Sequence, residues 1–132
     1  MKLKLSATAF IVSAFLVAAF ASLSAHHSFA AFDMTKEQTI TGVVSRFDWT
    51  NPHTFIWVDV VNDKGVTESW GIEGMSPNFL GRRGWSKTSV KPGDKITLSI
   101  RPLKEGKTGG MFISAQIGDR VLMPGGAPTD EH

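Results

Sequence analysis

Ser76-Pro77-Asn78-Phe79-Leu80-Gly81-Arg82-Arg83-Gly84 is the stretch that separates one small β fold from its rivals. A serine that can cap, a proline suited to the first helical position and a glycine that can end a turn together predict a short helix. Everything around it reads as strand. Upstream, alternation with period two runs from Thr39, placing Ile40, Gly42 and Val44 on one side and Thr41, Val43, Ser45 and Phe47 on the other. A second run, Thr54 to Val61, is rich in β-branched and aromatic residues. Asn62-Asp63-Lys64-Gly65 is a hairpin turn in which Gly65 is free to take positive φ, and Val66 to Ile72 returns as a third strand.

Downstream of the helix, Lys91-Pro92-Gly93-Asp94 is a turn before a fourth strand, Lys95 to Arg101. Gly106 to Gly110 reads as a flexible loop, Met111 to Ile117 as the fifth strand, and Val121-Leu122 as a small sixth. Three strands, a helix, then two strands is the order of an OB-like barrel, all-β with five strands and one short helix between strands three and four. A small β-sandwich or an SH3-like barrel are the alternatives, but neither asks for a helix there. The barrel is expected over residues 39–123, and 124–132, with Pro124-Gly125-Gly126-Ala127-Pro128, has the composition of a disordered tail.

The N-terminus has a different character. Met1-Lys2-Leu3-Lys4 is basic, Phe10 to Phe20 is nearly all apolar, and Ala21-Ser22-Leu23-Ser24-Ala25 is small apart from one leucine. That order predicts a secretory signal peptide over residues 1–25, with a periplasmic or secreted product. The alternative is an uncleaved anchor, for which the apolar run is short. Cleavage after Ala25 removes Lys2 and Lys4 and leaves twelve basic residues against twelve acidic ones. A balanced charge argues against a nucleic-acid partner, and no second apolar run remains to enter a membrane. With no cysteine in the chain there is no disulfide framework, thiolate site or cysteine nucleophile.

Two of the four histidines are adjacent, in Ser24-Ala25-His26-His27-Ser28-Phe29. Cleavage after Ala25 makes His26 the first residue, so that its amine and ring can chelate one metal together, as in the histidine brace of copper proteins. Cleavage after Ser24 places a histidine third, as in amino-terminal copper and nickel motifs. Cleavage after Ala21 leaves only the rings. Nitrogen sets of this kind favour Cu(II) or Ni(II), with affinity rising toward copper. His53, in Trp49-Thr50-Asn51-Pro52-His53, sits at a corner where strand two begins and is the third candidate ligand. The bland alternative is a mobile leader, against which Phe29 and Phe32 suggest that residues 26–38 dock on the barrel.

All four tryptophans, Trp49, Trp57, Trp70 and Trp85, fall in the expected mature domain. Aromatics usually build core, and Trp85 is expected to close the helix against the barrel. Strand parity puts Ile56, Val58 and Val60 inside and His53, Phe55, Trp57 and Asp59 outside. The strand two and three surface of OB-folds binds extended ligands, so Phe55, Trp57 and Trp70 are candidate ligand-binding residues, able to stack on a planar ligand. Carboxylates at Asp48, Asp59, Glu68 and Glu73 could pair for acid–base work, but exposed charge on a sheet is the commoner meaning. No serine elbow or phosphate loop is present.

The motifs His26-His27-Ser28-Phe29, Thr50-Asn51-Pro52-His53, Ser76-Pro77-Asn78, Arg83-Gly84-Trp85 and Lys91-Pro92-Gly93-Asp94 resemble those of a family of small exported bacterial proteins of unknown function. The resemblance covers most of the mature chain and implies an exported β domain with no activity to carry over. Met75 stands where a small residue is expected. The expected function is binding rather than catalysis. The first reading is a metal, copper above others, at His26, His27 and His53. The second is an adaptor that holds a periplasmic protein or small ligand on the aromatic face.

Overall fold

The computed structural model describes residues 29–124. The expected signal peptide, His26, His27 and the tail from residue 125 lie outside them. The elements are β1 (Gln38–Asp48), β2 (Phe55–Val61), β3 (Thr67–Glu73), a helix α1 (Pro77–Gly81), β4 (Lys95–Pro102), β5 (Gly109–Ile117) and β6 (Arg120–Leu122), with one 3-10 turn at Lys104–Gly106. The strands hydrogen-bond in the order β3-β2-β1-β4-β5-β6, and β3 also pairs with β5, which closes five of them into a barrel. The all-β, OB-like architecture with its helix between β3 and β4 is therefore present.

The local chemistry of α1 follows the sequence. Ser76 is the N-cap, its hydroxyl accepting the Phe79 N–H at 3.2 Å, and Pro77 occupies the first turn. Beyond Arg82 the chain reverses through Gly84 at φ +87°, and Trp85 N–H donates to Leu80 O at 3.1 Å. This brings Trp85 into the core, edge-on to Phe112 with ring centroids 5.5 Å apart, while its Nε1 donates to Met123 O. The helix thus plugs the barrel through Leu80 and Trp85, both buried.

The core is Ile40, Val44, Ile56, Val58, Ile72, Leu80, Trp85, Val90, Ile96, Leu98, Ile100 and Phe112, with Ala115 and Leu122. Each such side chain, once buried, contributes about 1.5–3 kcal/mol of transfer free energy. The β2–β3 hairpin is fixed by Asn62, whose Oδ1 accepts the N–H groups of Lys64 and Val66 at 3.0 Å, with Gly65 at φ +76°.

Two expectations change. Phe47, expected on the face opposite Ile40 and Val44, packs against the core. A register shift between Val44 and Arg46 inserts a bulge, which reverses the parity of the rest of β1. Gly109 and Gly110, expected in a loop, are strand, pairing in parallel with Gly71 and Ile72 to close the barrel. A Cβ at Gly109 would stand 2.8 Å from Leu103 Cδ1 and 3.0 Å from Gly71 O, so closure depends on a bare backbone there.

Candidate functional site

The site lies on the outer face where β1, β2 and β3 run side by side. The hairpin register sets it out in rows: Asp48, Phe55 and Glu73 are opposite one another, and Arg46, Trp57 and Gly71 form the next row. Directly opposed residues share a face, so these six positions meet one surface.

Trp57 is held on three sides. Its Nε1 donates to Asp48 Oδ2 at 2.8 Å, and the Arg46 guanidinium lies 5.0 Å from its ring centroid. Arg46 Nε is itself 2.8 Å from the other Asp48 oxygen. On the β3 side the indole covers Gly71, where an added Cβ would come within 2.9 Å of Trp57 Cζ3. Phe55 stacks beside it, with centroids 6.0 Å apart at 23°. The indole is therefore a packed, hydrogen-bonded lid on the sheet, with its polar atom satisfied.

Trp70 does not join this surface. It pairs with Val58, an inward residue, and packs against the core from the other side of β3. The expected Phe55–Trp57–Trp70 face is thus corrected to Phe55 and Trp57. The physical reason is the period-two alternation of a strand, which puts Trp70 with Ile72 and leaves Gly71 beneath the indole. Among the described residues the buried Trp70 Nε1 has no hydrogen-bond partner.

His53 stands at the corner leading into β2, past the cis Asn51-Pro52 bond. Its Nδ1 lies 3.1 Å from Gly74 O and 3.3 Å from Glu73 Oε1. Both neighbours only accept, so Nδ1 carries the proton and, in the neutral ring, the lone pair is left on Nε2. The side chain is 39% exposed. The corner itself is rigid: Thr54 N–H and Oγ1 both donate to Met75 O, and Gly74 N–H donates to Thr54 O at 2.8 Å. Thr54 is buried beneath it.

Glu73 is the residue whose role is missed by reading the sequence alone, where it is one of several carboxylates and not the partner of His53. The signal is nevertheless there: counting outward from the Asn62–Gly65 turn pairs Val61 with Thr67 and, six steps on, Phe55 with Glu73. The other carboxylates are otherwise engaged or apart. Asp48 serves Trp57 and Arg46, Glu68 accepts from Asn62 Nδ2 at 3.0 Å, and Asp59 is an exposed position opposite Ser69. Among the described residues no three His, Asp or Glu side chains are gathered as a metal set.

Phe32 is buried, forming an isolated bridge with Leu103, and Asp33 N–H donates to Pro102 O at 2.8 Å. Asp33 then accepts from the hydroxyl and the backbone N–H of Thr35, with the Lys36 ammonium at 3.0 Å. The Thr35 hydroxyl first, then Lys36, holds the Asp33 carboxyl down at about 2. Phe29 is exposed.

No curated protein and no solved structure matches this chain. A family model described as "Family of unknown function (DUF6152)" matches residues 13–114, the greater part of the sequence, and the chain belongs to that family.

Proposed function

We propose that this protein is an exported, non-enzymatic binder of a late transition metal, copper above others, with His53 as the barrel's ligand and His26 and His27 as the remaining imidazoles. The observation that carries the reading is the anchoring of His53. A metal-ligating histidine characteristically donates its other ring N–H to a carboxylate or a backbone carbonyl, which fixes the tautomer and makes the ligating nitrogen more basic. Glu73 and Gly74 stand in that relation to Nδ1, and Nε2 is the nitrogen offered. The barrel supplies one imidazole and not a full set. The adjacent histidines, with or without a free amine, supply the nitrogen-rich complement that copper favours. Export is supported by the basic, apolar, small-residue order of residues 1–25.

The test is Cu(II) titration followed by calorimetry and electron paramagnetic resonance. Wild type is expected to bind one copper more tightly than about 10 μM, roughly −7 kcal/mol. His53→Ala loses a nitrogen from the spectrum. Glu73→Gln weakens binding about 10–100-fold, the usual cost of losing an outer-shell partner. An affinity unchanged in His53→Ala, or none in the micromolar range for wild type, removes the proposal.

A further inference from the structure

The near-neutral balance of the mature chain hides a segregation of charge. Residues 29–75 carry three Lys or Arg against seven Asp or Glu, whereas residues 76–124 carry nine against three. Within the second part, the connection from α1 to β4 places Arg82, Arg83, Lys87 and Lys91 before its one acid, Asp94, and Lys95 follows directly. β6 brings a sixth cation alongside, since Arg120 Nη1 donates to Ser89 O at 3.2 Å. Among the described residues none of these six cations is in an ion pair. Arg83 lies over the Phe79 ring at 3.6 Å and donates to Phe79 O, so among the described residues its partners are an aromatic face and a carbonyl.

Two further observations select the partner. First, the cations are spread over a connection and a strand, which suits a laterally extended anion better than a single phosphate group. Secondly, Val121 of β6 and Met123 just beyond it are exposed and follow Arg120 closely in the chain, and Met123 O is held by Trp85 Nε1 at the same connection. Apolar side chains among surface cations suit the boundary between headgroups and acyl chains. Clustered Lys and Arg near an anionic bilayer contribute about 1 kcal/mol each, roughly fivefold in partitioning. We infer that the face built by the α1–β4 connection and β6 docks peripherally on an anionic phospholipid surface. No described helix is long and apolar enough to cross a membrane, and this attachment needs none.

The experiment is co-sedimentation of the purified protein with vesicles of phosphatidylcholine alone or with phosphatidylglycerol added, at low and at physiological salt. Partitioning is expected only with phosphatidylglycerol, and it falls as salt screens the contact. R82Q/K87Q/K91Q lowers it on the order of 100-fold, three cations at about fivefold each. K36Q/K64Q/K104Q removes the same charge elsewhere and changes it by less than about fivefold, one cation's share. Circular dichroism confirms that both variants are folded. Binding to neutral vesicles as strong as to anionic ones overturns the inference, because that is what an uncleaved apolar N-terminus would give. So does an equal loss in both triple variants, or no sedimentation with phosphatidylglycerol at low salt.

Discussion

Gly71→Ala tests the packing on which the site is built. The Cβ it adds would stand 2.9 Å from Trp57 Cζ3 and 3.1 Å from Cη2. Comfortable carbon–carbon contact is about 3.5–4.0 Å, so the indole has to move by several tenths of an ångström. It is not free to do so, because Nε1 is bonded to Asp48 at 2.8 Å and Arg46 lies against the ring. Overpacking of this kind costs about 1–3 kcal/mol. Replacing a strand glycine returns roughly 0.5–1 kcal/mol of chain entropy. The net expectation is a loss of about 1–2 kcal/mol, a fall in Tm of roughly 5–15 °C for a domain of this size. Thermal unfolding by circular dichroism reads it, and Trp57→Leu provides the control. Without the indole the three atoms closest to the added methyl are gone, so Gly71→Ala becomes neutral or stabilising in that background. A coupling of about 1–2 kcal/mol across the cycle is the signature. An unchanged Tm in the single variant, or the same loss in both backgrounds, would show that Trp57 does not lie on Gly71.

Other contacts give further expected outcomes. Ser76→Ala removes the N-terminal side-chain cap of α1 and is expected to cost about 1 kcal/mol by urea unfolding; a neutral result would mean that packing of Leu80 and Trp85 holds the helix without the cap. Thr35→Val removes the larger of the bonds that depress Asp33, so its carboxyl titrates upward from about 2 toward 3.8, read by carboxyl carbon NMR. Because a lowered carboxyl stabilises the fold above its unfolded value, wild type keeps that contribution above about pH 4 and loses it on acidification toward 2, whereas the variant has less to lose. An unshifted titration in the variant would place the cause with Lys36 instead.

Legibility in the sequence differs by element. The helix is readable because Ser76, Pro77 and Gly84 are each constrained by local backbone chemistry, and the hairpin because Asn62 and Gly65 are. Strand two is readable because its inner residues, Ile56 and Val58, alternate without interruption. The helix placed between two blocks of strand then singles out the barrel. The His53 corner is legible as a corner, but its chemistry is not, since Glu73 and Gly74 lie about twenty residues away and arrive only through strand pairing.

The sequence by itself determined the strand order, the helix, the turn and the identity of the imidazoles. Tertiary structure decided the rest, and in each case the cause is non-local. The bulge after Val44 depends on two partners of β1, β4 on one side and β2 on the other, so no alternation within β1 could reveal the turned Phe47. Gly109 and Gly110 have no strand propensity of their own and become strand where Gly71 of β3 and Arg101 of β4 approach too closely for a side chain. Arg120 lies some thirty residues from Ser89 in sequence and reaches the α1–β4 connection only because β6 folds back beside it.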